Sequence, residues 1–380
     1  MLVDSLRDTE DLRADLAAAQ RFALDCEAAG FHRYSDRLCL VQVTVNDHTY
    51  ILDPLAFDIA QVLREPLEDP DVAVIMHGAD FDLRLLKRDL GIRLRGLLDT
   101  QIAAALLGEE GLGLAALLGS RFGITLSKKY QRADWAVRPL TEGLLDYAAS
   151  DTRHLQELSE LLVADLVAAD RIDWAREEWL ALEDVADDPT EAEEPEDPVT
   201  RVKGARHLSP RELTALRRAL EWRDNIARAK DRAPFRVIGD PPLLEAVVGG
   251  ADRVEDLTTI KGFPRGLARE EGKDLLRSLR AVAGMTEAEL EPFPRATRRG
   301  SGRPPPELEE VVDRLKAVRN RKAEEIGLPR GTLVSNAVIL GIARAAPEDI
   351  EGLVADVEGM RRWKADVVGE DLLQALRGRP

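Results

Sequence analysis

A chain of 380 residues with 44% hydrophobic and 32% charged content is long enough for two or three domains, each with its own core. Its 2 cysteines, Cys26 and Cys39, exclude a disulfide framework and read as reduced core residues. The net charge of -17 argues against a nucleic-acid partner only if the acid is spread evenly, and it is not.

The start, "MLVDSLRDTEDLRADL", has no basic region leading into an apolar one, so no secretory signal is expected. No later stretch approaches the roughly 18 apolar residues of a membrane span, so a soluble, cytoplasmic protein is expected. The first informative stretch is "RFALDCEAAG" at 21–30. Phe22, Leu24 and Cys26 alternate with Ala23, Asp25 and Glu27, the period of a half-buried strand. On such a strand Asp25 and Glu27 share a face. Two carboxylates side by side in an interior setting need something positive between them.

Further strand-like runs are "RLCLVQVTV", "HTYILD" and "VAVIMH", the first two linked by short connections that suit antiparallel neighbours. "FDIAQVLREPLED", "FDLRLLKRDLG" and "DTQIAAALLG" read as helices, with Asp80 and Asp99 as helix-start residues. "GLGLAALLG" at 111–119 lacks the G-K-[ST] ending of a phosphate loop and reads as a loop entering a helix. One long helix is expected from a Thr141 cap to about Leu166. The order describes a mixed α/β sheet covered by helices.

Residues 183–198 hold 9 acids and no Lys or Arg, and read as a solvated linker. The next stretch, 201–236, holds 11 Lys and Arg against 4 acids, leaving room for a basic face. Arg217, Arg218, Arg228, Lys230 and Arg232 are its candidate phosphate contacts, with an ordinary solvated helix face as the alternative. Beyond this point the chain repeats itself. "GKDLLRSLR" at 272–280 recurs as "GEDLLQALR" at 369–377, and "WRDNIARAK" at 222–230 answers "VRNRKAEEI" at 318–326. The near-constant offset indicates two copies of one small helical domain joined by the Pro- and Arg-rich 291–306. Trp222 and Trp363, at similar places in the repeats, read as core rather than as stacking platforms.

Two more acids belong near the Asp25–Glu27 pair. "VAVIMHGADFDLRLL" leads from a strand into a helix and offers Asp80 or Asp82; "LLDYAASDTRHL" sets Tyr147 and Asp151 on one helix face. His77 and His154 lie close by in sequence and read as structural, and no Cys/His spacing suggests zinc. Four converging carboxylates call for hard, oxygen-liganded divalent ions, Mg²⁺ or Mn²⁺. Two such ions stabilise the attacking and leaving oxygens of an in-line phosphoryl displacement.

With these residues in view, the chain resembles the ribonuclease D family of the DEDD exonuclease superfamily, in the subgroup with tyrosine in its third motif. "LDCE" matches the first motif, "HGADFDLRLL" the second and "YAASD" the third. The second motif selects Asp82 over Asp80. The repeats are similar to HRDC domains, the helicase and ribonuclease D C-terminal modules. The resemblance implies an α/β ribonuclease H-like exonuclease domain over 1–180, an acidic linker at 181–203 and a first HRDC domain at 204–286. A linker at 287–306 and a second HRDC domain at 307–380 would follow. It further implies a 3′→5′ exoribonuclease releasing 5′-mononucleotides. Asp25, Glu27, Asp82 and Asp151 would ligate two metal ions, and Tyr147 would hold or help deprotonate the attacking water. The implied partner is RNA with a free 3′ end, tRNA precursors above all, with no membrane and no obligate protein partner. The base-wedging residue is not assignable in "AAGFHRYSDR". A DNA 3′ exonuclease and a catalytically silent RNA-binding scaffold are the alternatives.

Overall fold

The computed structural model describes residues 1–187, 197–294 and 306–378. The N-terminal part is built on a sheet of β1 (Leu2–Val3), β2 (Arg21–Ala28), β3 (Leu38–Val45), β4 (His48–Leu52), β5 (Ala73–Met76) and β6 (Leu97–Asp99). Their spatial order is β1-β4-β3-β2-β5-β6. β3 pairs antiparallel with β2 and β4, as the short connections require, and the other pairings are parallel. β3 is buried along its whole length, which explains its almost unbroken apolar run. β1 and β6, with 2 and 3 residues, are too short to show alternation and were not expected.

Helices α1 (Glu10–Ala18), α2 (Ala60–Glu68), α3 (Asp80–Leu85), α4 (Thr100–Leu107) and α5 (Leu114–Phe122) alternate with the strands or follow them. The expected long helix is instead two, α6 (Glu142–Arg153) and α7 (Leu155–Ala168). The backbone leaves helical geometry at His154, with φ -110° and ψ 6°. The break lets α6 lie across β2, β3 and β4 while α7 packs on α4 and β5, surfaces that one straight rod would not cover. Thr152 near the end of α6 meets Thr44 of β3, hydroxyl to hydroxyl at 2.7 Å, with both side chains buried.

α8 (Ile172–Asp187) corrects the start of the acidic linker. Residues 181–187 are helical, and Glu183, 6% exposed, accepts a hydrogen bond from Leu97 N at 2.8 Å. A carboxylate with a backbone partner is tolerated where composition alone suggested solvent. The rest of the acidic run up to 196 lies outside the described residues, as does 295–305 of the Pro- and Arg-rich linker.

The C-terminal region is two copies of a five-helix unit. The first has α9 (Pro210–Ala229), α10 (Pro234–Val237), α11 (Asp240–Val248), α12 (Val254–Thr259) and α13 (Arg265–Ala283). The second has α14 (Pro306–Ile326), α15 (Arg330–Leu333), α16 (Asn336–Ala345), α17 (Ile350–Asp356) and α18 (Arg362–Leu376), its helix starts offset by 96 or 97 residues. The repeat extends to single contacts. Arg223 donates to Ile238 O and Asp240 at 3.2 and 2.6 Å; Arg319 donates to Val334 O and Asn336 Oδ1 at 3.0 and 2.9 Å. A Cβ at Gly272 would come within 3.0 Å of Leu257, and one at Gly369 within 2.6 Å of Ile350, so both copies keep glycine where two helices close.

The copies are not equivalent in the whole. The first keeps a core of its own around Leu213, Leu216, Leu243 and Leu275. In the second, Leu315, Ile339, Trp363 and Leu372 belong to one continuous core with Trp179 and the sheet.

Candidate active site

Alternation along β2 puts Phe22, Leu24 and Cys26 on one face and Ala23, Asp25 and Glu27 on the other. Across the ladder Asp25 stands opposite Gln42, Ala23 opposite Thr44 and Glu27 opposite Leu40. The Thr44–Thr152 bond shows that this face looks toward α6. Tyr147 and Asp151, one turn apart on α6, therefore come down onto the two acids of β2. One carboxylate oxygen each from Asp25, Glu27 and Asp151 lie within 4.8 Å of one another.

Asp82 stands beside this triplet rather than inside it. It sits in the first turn of α3, is 8% exposed, feels the charge of Asp25 and adds its own to Glu27. The junction that presents it is tied by Asp99, whose fully buried carboxylate accepts from Gln101 N, Ile102 N and Ala79 N at 2.7, 3.1 and 2.7 Å. Asp99 is thus a cap, as expected, and also a clasp between two strand–helix junctions. Asp80, the first residue of α3, points away to an ion pair with Arg84 at 3.0 Å.

Burial dominates the electrostatics. It pushes Asp25 up to about 7, with the Asp151 charge adding to the effect, and Asp151 up to about 6. Glu27 rises to about 10 through burial and then through Asp25, Asp151 and Asp82. Asp82 is raised well above the usual range by burial and then by Asp25. Tyr147 is also raised, first by burial and then by Asp151, so its phenol stays protonated. An all-oxygen donor set whose members repel one another fits hard divalent cations.

Tyr147 is wedged between Trp135 and Tyr130, ring centroids 6.0 and 6.1 Å away. A cleft of about 430 Å³ opens beside it, lined by Ser127, Lys129, Tyr130, Arg153 and His154 among others. His77 is structural: Nδ1 meets Thr100 Oγ1 at 2.9 Å, and burial lowers the ring's pKa. Cys26 and Cys39 are buried and unbridged, as expected. Gln42, fully buried and opposite Asp25, makes no side-chain hydrogen bond among the described residues. A glutamine in an otherwise largely apolar strand was a legible signal that the sequence reading passed over.

The basic stripe does not form one surface. Arg217 is 16% exposed, reaches Asp197 at 2.7 Å and donates to Glu291 O and Pro292 O, so it clips the chain on either side of the unit. Arg228 donates to the Tyr34 hydroxyl and Asp224 at 2.9 and 3.2 Å. Arg218 pairs with Glu221 at 3.0 Å, and Lys230 lies 3.7 and 3.8 Å from Glu270 and Glu271. Arg232 alone of the five forms no ion pair among the described residues. Trp222 and Trp363 are both core, 7% and 2% exposed, but they occupy different helices of the repeat, α9 and α18.

Comparison with known proteins bears on the family and the domain order. A 3′-5′ exonuclease family model matches residues 2–166, and an HRDC domain model matches 212–279 and 309–376. Ribonuclease D of Granulibacter bethesdensis is 31% identical over 379 residues, covering 97% of this chain and 91% of that one. The crystal structure of a protein from Bifidobacterium adolescentis superposes with a TM-score of 0.84 at 25% identity, covering 99% of this chain and 97% of that one. Escherichia coli RNase D shares the fold, with a TM-score of 0.70 at 24% identity over 100% of this chain and 99% of that one. Similarity sustained along nearly the whole length, with the nuclease and paired helical domains in the same order, makes this chain a member of the ribonuclease D family.

Proposed function

We propose that the chain is a 3′→5′ exoribonuclease that hydrolyses RNA 3′ ends to 5′-mononucleotides, with tRNA precursors or other structured RNAs as substrates. The observation that carries this reading is the convergence of Asp25, Glu27 and Asp151 within 4.8 Å, with buried Asp82 beside them. These four carboxylates would hold two divalent ions, Mg²⁺ or Mn²⁺. Bound there, the ions supply positive charge to the attacking and leaving oxygens of the terminal phosphodiester. The residues themselves do the positioning. Tyr147, kept protonated, offers its hydroxyl as a hydrogen-bond donor that orients the attacking water. Trp135 and Tyr130 fix its ring, and Asp99 fixes the junction bearing Asp82.

The deciding experiment is a time course on 5′-labelled RNA with a single-stranded 3′ tail, in Mn²⁺ or EDTA, comparing wild type with Asp25→Asn. A metal-dependent ladder shortening from the 3′ end, absent in the variant, is expected. Intact RNA in every lane with a shifted band on a native gel would indicate a binding scaffold instead.

A further inference from the structure

The loop leaving β2 carries Phe31, and the first HRDC unit lays Phe235 against it, ring centroids 5.6 Å apart. Both rings stay in solvent, 41% and 53% exposed. Two guanidinium groups flank them: Arg236 Cζ lies 4.7 Å from the Phe31 centroid and 6.0 Å from that of Phe235, and Arg132 Cζ lies 5.6 Å from Phe31. The arrangement is braced. Arg236 Nε donates to Phe31 O at 2.7 Å, Ala233 N donates to His32 O at 3.0 Å, and the His32 ring meets Arg132 O at 2.8 Å.

This cluster is continuous with the active site. The segment 127–132, "SKKYQR", packs Tyr130 against Tyr147 at one end and sets Arg132 over Phe31 at the other. In a chain of net charge -17, the cations Lys128, Arg132, Arg232 and Arg236 form no ion pair among the described residues. Covering the two rings with an apolar protein surface would bury Arg132 and Arg236 without counter-charges. A nucleotide chain supplies both things the cluster lacks, flat bases for the rings and phosphates for the cations.

We propose that Phe31, Phe235, Arg132 and Arg236 form a stacking platform, shared between the exonuclease domain and the first HRDC domain, for the single-stranded RNA tail upstream of the scissile phosphate. The proposal rests on the exonuclease reading. It makes the first HRDC domain part of the substrate path and favours tails long enough to reach Phe235 over shorter ones.

The test is fluorescence anisotropy of a 5′-fluorescein-labelled oligoadenylate with the full chain in EDTA, where no cleavage competes. Phe235→Ala weakens binding about 5- to 150-fold, the loss of one stacked base. Phe235→Trp retains it, and Arg236→Ala flattens the salt dependence by about one phosphate contact. Phe235→Leu keeps the apolar contact but not the stacking ring, so it serves if the alanine variant melts early. Val248→Ala, another exposed apolar position of the same unit, is the control and binds as wild type does. In Mn²⁺, the ratio of kcat/KM on oligoadenylate to that on a dinucleotide falls in Phe235→Ala.

Undiminished binding by both the Ala and Leu variants overturns the proposal. So does an equal loss in Phe235→Trp or Val248→Ala, or no binding by the wild type. If the wild type shortens no RNA in Mn²⁺ yet the binding differences appear, the exonuclease reading fails and the platform stands. The reverse pattern sinks the platform alone.

Discussion

Trp174 of α8 and Trp363 of α18 lie stacked, ring centroids 4.7 Å apart and planes inclined by 16°. The Trp363 indole donates to Glu178 at 2.8 Å, and Arg171, which lies over Trp174, donates to Ile326 O and Leu106 O at 2.5 and 2.8 Å. Sheet, α8 and second HRDC unit thereby share one continuous core. Trp363→Ala should cost about 3–5 kcal/mol, the usual range for deleting a buried large aromatic. The check is urea unfolding, and an unchanged midpoint would show that the second unit does not brace the nuclease.

Metal-free protein should lose stability as pH rises. Asp25 titrates near 7 and Glu27 near 10, against ordinary values of 3.8 and 4.5. The folded chain therefore keeps protons that the unfolded chain has released, and stability falls as pH climbs from the ordinary carboxylate range through these values. Melting in EDTA should drop between about pH 5 and about pH 8, and Mn²⁺ should raise the melting temperature more at the higher pH. A flat EDTA profile would contradict the site.

Asp25→Asn should separate activity from stability. Removing one of the mutually repelling acids should raise the melting temperature of the chelated protein above neutral pH. Hydrolysis should fall by more than the roughly 10- to 100-fold that losing an outer metal-site partner costs. A variant both active and no more stable than wild type would fail the prediction on both counts.

Tyr147→Phe should lower kcat and leave the acidic limb of the pH–rate profile in place. The hydroxyl is raised above its ordinary pKa, so under the proposed mechanism its part is to donate a hydrogen bond, not to take a proton. A basic limb present in wild type and lost in the variant would instead make Tyr147 the base.

Arg217→Ala should destabilise the first HRDC unit by about 1–3 kcal/mol, because Asp197 and two backbone carbonyls lose their donor. The salt dependence of RNA binding should keep its slope. A slope reduced by about one would return Arg217 to the phosphate contacts.

Local signals carried much of this protein. The alternation of "FALDCE" places Asp25 and Glu27 on one face, the i, i+4 spacing places Tyr147 and Asp151 on another, and the offset of the repeats gives two copies of one helical unit. Each is a periodicity read within one element or a self-similarity between two, so a single chain displays it. Phe31 and Phe235 are different: they lie 204 positions apart in the chain, and only the docking of the first HRDC unit sets the rings together. Trp174 and Trp363, the break at His154, the burial of Glu183 and the withdrawal of Arg217 from the open surface were likewise decided by packing between elements. Composition and spacing state which residues are able to bury, pair or ligate. Which of them meet is set by long-range contacts, for which a linear pattern holds no coordinate.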